Sequence, residues 1–212
     1  MRLLVVGASG GTGRLLVEQA LAAGHAVTAL VREPARLSAR HPMLQVVVAD
    51  VMRPETLHVD GYGAVLCAIG SMPESPADKS RQQPDVPVCS EGTRHLVAAM
   101  SSAGVRRLVV LSSASVGESR FESRFGIAWL IRRLLRAVMD DKELQEACVR
   151  ASALDWTILR PVKMRDGPAT GRVTVGEGVR WGAGKVSRAD VAAVMLRCVG
   201  DRSTVGKALT IA

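Results

Sequence analysis

The stretch VVGASGGTGRLL, Val5 to Leu16, places glycine at every third position, Gly7, Gly10 and Gly13, between branched apolar residues and an amphipathic run. Branched apolar residues favour a strand buried on both faces, and apolar side chains recur at helical spacing from Thr12 to Ala23. The glycines therefore occupy a strand-to-helix turn. Glycine alone would mark only a tight turn, but in this setting each position has a use. Gly7 permits the turn, Gly10 lets backbone approach a pyrophosphate, and Gly13 lets the helix pack closely on the strand. Ser9, Gly11 and Thr12 complete a rim of donors at the positive end of the helix dipole, a place suited to phosphate.

The same alternation continues outward. LLVVG, AVTALV from Ala26, QVVV from Gln45, AVLCAI from Ala64, RLVVLSS from Arg107 and WTILRP from Trp156 read as strands buried on both faces. Helical spacing fills Thr12 to Ala23, Glu91 to Ala103 and a long segment ending near Ser152. Strand, helix, strand repetition implies right-handed crossovers and a doubly wound parallel sheet: an α/β Rossmann fold, one domain over residues 1–212. After Pro161 the pattern changes to a small C-terminal, substrate-side portion with RVTV, a helix from Ser187 to Val199 and a short strand, ALTI. Two stretches break the rhythm. Ser71 to Val88 is rich in Pro, Ser and charge and reads as a long loop after the fourth strand, while ESRFESRFGIAWLIRRLLRAVMDD, from Glu118, mixes aromatics with arginines and suits either a lid or a partner surface.

Composition narrows the function. The 212 residues are 48% hydrophobic, enough for one well-filled core, and no uninterrupted apolar run approaches a membrane span. No signal-peptide layout follows Met1, so a soluble cytoplasmic protein without membrane contact is expected. Cys67, Cys89, Cys148 and Cys198 are scattered in mostly apolar company and read as buried thiols of a reducing compartment. His25, His41, His58 and His95 lack ligand spacing, so no metal is expected. The net charge of +8 comes from arginines spread along the chain, with only three Trp, two Phe and one Tyr for stacking on bases. That pattern suits anionic small ligands such as nucleotides better than nucleic acid.

The end of the second strand selects the nucleotide. A carboxylate there would take the ribose 2′-OH, whereas a 2′-phosphate wants arginine. ALVREPARL puts Arg32 at that place and Arg36 one turn later, which points to NADP(H). Glu33 would serve a ribose hydroxyl if it, and not Arg32, faced the site.

GASGGTG, LVREPARL, Asp50-Val51, SEGTRHLVAAM from Ser90, VVLSSAS from Val109 and DWTILRPVKMRDGPATG from Asp155 together resemble the atypical, NmrA-like short-chain dehydrogenases, and among them the biliverdin-IXβ reductase/flavin reductase family. The resemblance implies that Asp50 and Val51 border the adenine and that Ile69 and Gly70 pass under the cofactor ribose. It also implies that Ser112 and Ser113 sit beside the nicotinamide, with Val162, Lys163 and Met164 flanking its carboxamide.

The departures matter as much. The family's tyrosine-based members use Tyr-x-x-x-Lys as proton donor, but four residues before Lys142 stands Val138, and the one tyrosine, Tyr62, precedes the fourth strand. Ordinary alcohol and ketone interconversion is therefore not expected. Relatives that reduce flavins also lack the tyrosine, because a ring that accepts hydride at an electron-poor centre takes its proton from solvent. Ser113, Lys142 and Lys163 are the candidate catalytic residues; Lys142 contacts ribose hydroxyls or is a surface lysine, and an inward Lys163 would favour an anionic or quinoid oxygen. The reading is an NADPH-dependent reductase of a flavin, quinone or related conjugated ring, working as a monomer or weak homodimer. The alternative is an NmrA-like NADP(H) sensor without turnover. A sugar-nucleotide epimerase is disfavoured, since it needs the tyrosine and a larger substrate domain.

Overall fold

The computed structural model describes residues 1–70 and 87–212. In chain order the strands are β1 (Arg2–Val6), β2 (Ala26–Val31), β3 (Leu44–Val48), β4 (Ala64–Cys67), β5 (Arg107–Leu111), β6 (Asp155–Pro161), β7 (Lys163–Arg165), β8 (Val175–Gly176), β9 (Lys185–Ser187) and β10 (Lys207–Ile211). The helices are α1 (Gly11–Ala22), α2 (Val88–Ser102), α3 (Ile127–Leu134), α4 (Arg136–Ala151) and α5 (Arg188–Gly200). Eight strands form one sheet in the order β3-β2-β1-β4-β5-β6-β10-β8, parallel except for β8, which pairs antiparallel with β10; β7 and β9 form a separate parallel pair. This is the doubly wound Rossmann order.

Strand periodicity of two explains the layers. In β1, Leu3 and Val5 join one core with α1 and α5, while Leu4 and Val6 join the other with α2 and the Val149 end of α4. Both faces of the central strands are thus covered, so β1, β2, β4, β5 and β6 read as continuous apolar runs. The third strand corrects that expectation. As the sheet's edge, β3 is half-exposed, and Val48 is 62% exposed. Only Val175 of RVTV lies within a strand, β8, and Thr174 before it exchanges both backbone hydrogen bonds with Ala212 just beyond β10. The helical pattern ending near Ser152 is two helices, broken at Leu135, whose backbone (φ −123°, ψ 38°) departs from helical values. The expected loop from Ser71 lies outside the described residues up to residue 86, and α2 already starts at Val88. No described helix is long and apolar enough to cross a membrane.

Candidate active site

The sheet's connections reverse between β1 and β4, and a crevice opens there beyond the strands' carboxyl ends, where doubly wound folds take ligands. The glycine turn builds its edge. Gly7 has φ +78°, and a Cβ on Gly13 would lie 2.1 Å from the Gly7 carbonyl oxygen, so α1 packs against the turn only because position 13 is bare. The Gly10 N–H donates to the Gly7 carbonyl (3.0 Å), and no side chain caps α1. The first-turn donors of Gly11, Thr12 and Gly13 are therefore not claimed by a capping side chain, which fits a diphosphate at this helix end.

On one side of the turn a cavity of about 80 Å³ is lined by Gly7, Ser9, Gly10, Arg32, Asp50, Val51, Ile69 and Gly70. These are the residues expected around the adenosine half, and the structure brings them together. Arg32 and not Glu33 is in the lining. Arg36, in the 3-10 turn Pro34–Arg36, is half-buried and outside it. Asp50 accepts a hydrogen bond from the Met52 N–H (3.0 Å), which shapes the turn after β3, and the His95 ring donates to the Val51 carbonyl (2.8 Å) from α2.

On the other side a wider cavity of about 460 Å³ runs from Gly10, Gly11 and Thr12 to the inner side of α3. Ser112, Ser113, Lys142, Val162, Lys163 and Met164 all line it, together with Ile131, Leu135, Val138 and Trp181. Thr12 Oγ1 donates to Met164 Sδ (3.7 Å), which joins the turn to the strand beyond Pro161. Lys142 is buried, so the surface alternative falls. Its Nζ donates to the carbonyls of Ile69 (3.0 Å) and Leu111 (2.8 Å) and to Gln145 Oε1 (3.0 Å), fastening the ends of β4 and β5 under the cavity. Ser112 directs its hydroxyl to Glu146 Oε1 (2.6 Å), whereas Ser113 is half-buried. The indole of Trp181 is fixed by its Nε1–H on the Ser119 carbonyl (2.7 Å).

Sequence reasoning missed a buried polar face on α4. Asp141 accepts from the Cys89 and Ser90 N–H groups (both 2.9 Å) and caps α2; Gln145 donates to Thr93 (2.8 Å); Glu146 pairs with buried Arg160 of β6, whose Nε donates to Oε1 at 2.9 Å. The signal was present: 139, 142, 146 and 149 follow helical spacing but mix Met and Val with Lys and Glu. A second miss is Arg188. Its side chain lines the wide cavity and lies over Gly11, where a Cβ would come within 3.0 Å of Cδ and Nε, and its Nη1 pairs with Asp166 (2.8 Å). Burial pushes the Cys67 thiol up to about 11, so beneath this floor it stays a protonated, inert thiol.

A crevice at the switch point, an uncapped glycine-rich helix start and a second cavity beside it are the features that an NAD(P)H-dependent oxidoreductase requires. A family model described as NAD(P)H-binding matches residues 7–202, and the chain belongs to that family. An uncharacterized chloroplastic protein of Arabidopsis thaliana is 32% identical over 217 residues, covering 99% of this chain and 76% of the relative. Among solved structures, a short-chain dehydrogenase/reductase of Veillonella parvula in complex with NADP superposes with a TM-score of 0.81 at 17% identity, covering 99% of this chain and 93% of that one. An anaerobilin reductase of Escherichia coli O157:H7 superposes with a TM-score of 0.79 at 22% identity, covering 100% and 96%. Both share the fold.

Proposed function

We propose that this chain is an NADPH-dependent reductase of a flavin, quinone or similar conjugated acceptor. The observation that carries the reading is Val138. It lines the wide cavity one helical turn before Lys142, where reduction of an isolated carbonyl would need a proton-donating hydroxyl. Lys142 gives its three donors to protein acceptors, so it positions the floor and does not replace that acid. A conjugated ring spreads the incoming charge, so it can leave the dry site as an anion and take its proton from bulk water. A bound reduced nicotinamide supplies the reducing equivalent.

The residues' task is then placement and exclusion of water. In this reading the first-turn N–H groups of α1 hold the pyrophosphate, with Arg188 across from them, and Arg32 takes the 2′-phosphate with Arg36 nearby. Asp50 and Val51 border the adenine, Ile69 and Gly70 lie under the ribose, and Ser112, Val162, Lys163 and Met164 surround the carboxamide. Ser113 orients the acceptor ring and Lys163 meets an anionic or quinoid oxygen, while Ile131, Leu135 and Val138 keep the ring dry. That a solved anaerobilin reductase shares the fold supports a conjugated acceptor. We take residues 1–212 as one NAD(P)-binding unit, a monomer or weak homodimer. Its four free thiols suit the reducing cytoplasm, although the Arabidopsis relative is chloroplastic.

The test mixes the pure protein and NADPH with FMN, then with a quinone, and follows the nicotinamide absorbance. Consumption is expected with at least one acceptor, and Ser113→Ala should slow it while leaving NADPH affinity intact. Tight NADPH binding without consumption would favour the sensor.

A further inference from the structure

We propose that the outer face of α3 docks on an anionic lipid surface, so that an apolar acceptor dissolved in the membrane enters the cavity that the same helix walls. The docking stands on the exposed face itself; only the acceptor's route rests on the reductase reading.

Helix α3 is apolar on two sides. Ala128 is buried and Ile131 lines the wide cavity, with Leu135 just beyond the helix. Trp129 (67% exposed), Leu130 (50%) and Leu134 (72%) face outward, and Phe121 (76%) is exposed in the preceding turn. Four of the eight large apolar side chains exposed among the described residues thus fall between 121 and 134. Such clustering is unusual on a surface facing water alone.

Charge identifies the occupant. Arg133 lies over the Trp129 ring (6.0 Å to the centroid) and Arg120 over Phe121 (4.7 Å), so cationic groups border the apolar strip. Of the local carboxylates, Glu143 is engaged by Arg120 (2.6 Å) and Arg132 (2.7 Å) and Asp140 by Arg132 (3.2 Å) and Arg136 (3.5 Å). Glu122, beside Phe121, has no ion pair among the described residues, so Arg120, Arg124, Arg132, Arg133 and Arg136 outweigh three carboxylates. Arg133 and Arg124 have no carboxylate partner among the described residues. A short amphipathic helix with Trp and Leu on one face and arginines at its border is the composition of a helix lying in a membrane interface. The chain's charge of +8 adds attraction to an anionic leaflet. A two-fold dimer through this face would bring two copies of the same net positive patch together, and like-charged patches repel. The expected absence of membrane contact rested on the lack of a spanning run, and a face lying on the surface needs none.

Vesicle co-sedimentation tests the docking. Nucleotide-free protein should sediment with phosphatidylcholine vesicles containing phosphatidylglycerol, release at high salt, and stay in solution with phosphatidylcholine alone, while Trp129 emission shifts to the blue. The double variant Leu130→Ser, Leu134→Ser and the single variant Arg133→Glu should each partition roughly tenfold less, with unchanged NADPH binding and unchanged rate on a water-soluble quinone. The rate on a long-tailed quinone held in the vesicles should fall with partitioning. No sedimentation at low salt, equal sedimentation of the variants, or a concentration-dependent dimer that the variants abolish would overturn the docking. Vesicle binding without consumption of any quinone would instead remove the reductase reading and leave the docking in place.

Discussion

The two halves of the crevice are made of different material. The half proposed for the adenosine is small, about 80 Å³, and its edge is largely main chain: bare positions, helix-end donors and a single guanidinium. The half proposed to take the acceptor is about 460 Å³, and behind its apolar walls lie buried charges, Lys142 at the floor and the Glu146–Arg160 pair behind Ser112. One half works by keeping side chains out, the other by anchoring ionic side chains beneath a dry surface. Mutations should therefore fail in different ways on the two sides.

The largest effect is expected where a side chain is added to the first half. In Gly13→Ala the new Cβ would sit 2.1 Å from the Gly7 carbonyl oxygen, so α1 must move off the turn that it completes. Calorimetry should show no NADPH binding, and denaturant unfolding a loss of about 4 kcal/mol or more. A variant that binds normally would mean that the turn does not form the grip.

The acceptor half should instead fail by removal of a charge. Glu146→Ala leaves Arg160, 2% exposed, without its buried partner, although Glu118 stays 2.7 Å from the same guanidinium. Unfolding should show a loss of about 3 kcal/mol, the lower end for a broken buried pair. The folded fraction should keep its NADPH affinity and lose turnover as Ser112 is freed. Loss of affinity equal to loss of turnover would erase the distinction between the halves.

Asp190, which lines neither cavity, fastens the Thr170–Gly171 segment to the first turn of α5, which packs on α1. It accepts from the Thr170 and Gly171 N–H groups and from the Thr170 and Ser187 hydroxyls, all at 2.8 Å. Burial alone would raise its carboxyl, but the Gly171 N–H, the Ser187 and Thr170 hydroxyls and the Thr170 N–H outweigh it and hold the group below its ordinary 3.8. The folded state thus favours the ionised form. Its contribution is complete above the ordinary value and is lost as pH falls through the depressed one. Asp190→Asn should cost about 2 kcal/mol at neutral pH, and the stability curves of variant and parent should converge in acid. Parallel curves down to the lowest accessible pH would assign the cost to packing.

The sequence exposed these halves unequally. Gly7, Gly13 and the central strands were legible because backbone needs and burial on both faces leave direct marks on residue type. The edge strand β3 was not, since QVVV looks the same whether or not a neighbour covers it, and only the sheet order decides. The break at Leu135 hid because apolar spacing continues through it. Lys142 and Glu146 were illegible as buried groups because their partners, the Ile69 and Leu111 carbonyls and Arg160, lie far away in sequence. Arg188 was missed for the same reason: its neighbour Gly11 is brought to it only by the packing of α5 on α1.

The smallest expected effects separate two arginines at opposite ends of the nucleotide. Arg32 lines the adenosine cavity at the end of β2, so its proposed contact exists only when a 2′-phosphate is present. Arg188 faces the α1 N-terminus, where the pyrophosphate of NADPH and NADH would be identical. Arg32→Ala should therefore weaken NADPH by roughly tenfold and leave NADH almost unchanged, whereas Arg188→Ala should weaken both by a similar factor. Arg188 must also leave Asp166, but that carboxylate is 90% exposed, so the exchange of partners costs little. Titrating both variants with both nucleotides by calorimetry gives four affinities. If Arg32→Ala weakens NADPH and NADH equally, its guanidinium does not read the 2′-phosphate; if Arg188→Ala leaves both unchanged, the pyrophosphate is held by the backbone of the glycine turn alone.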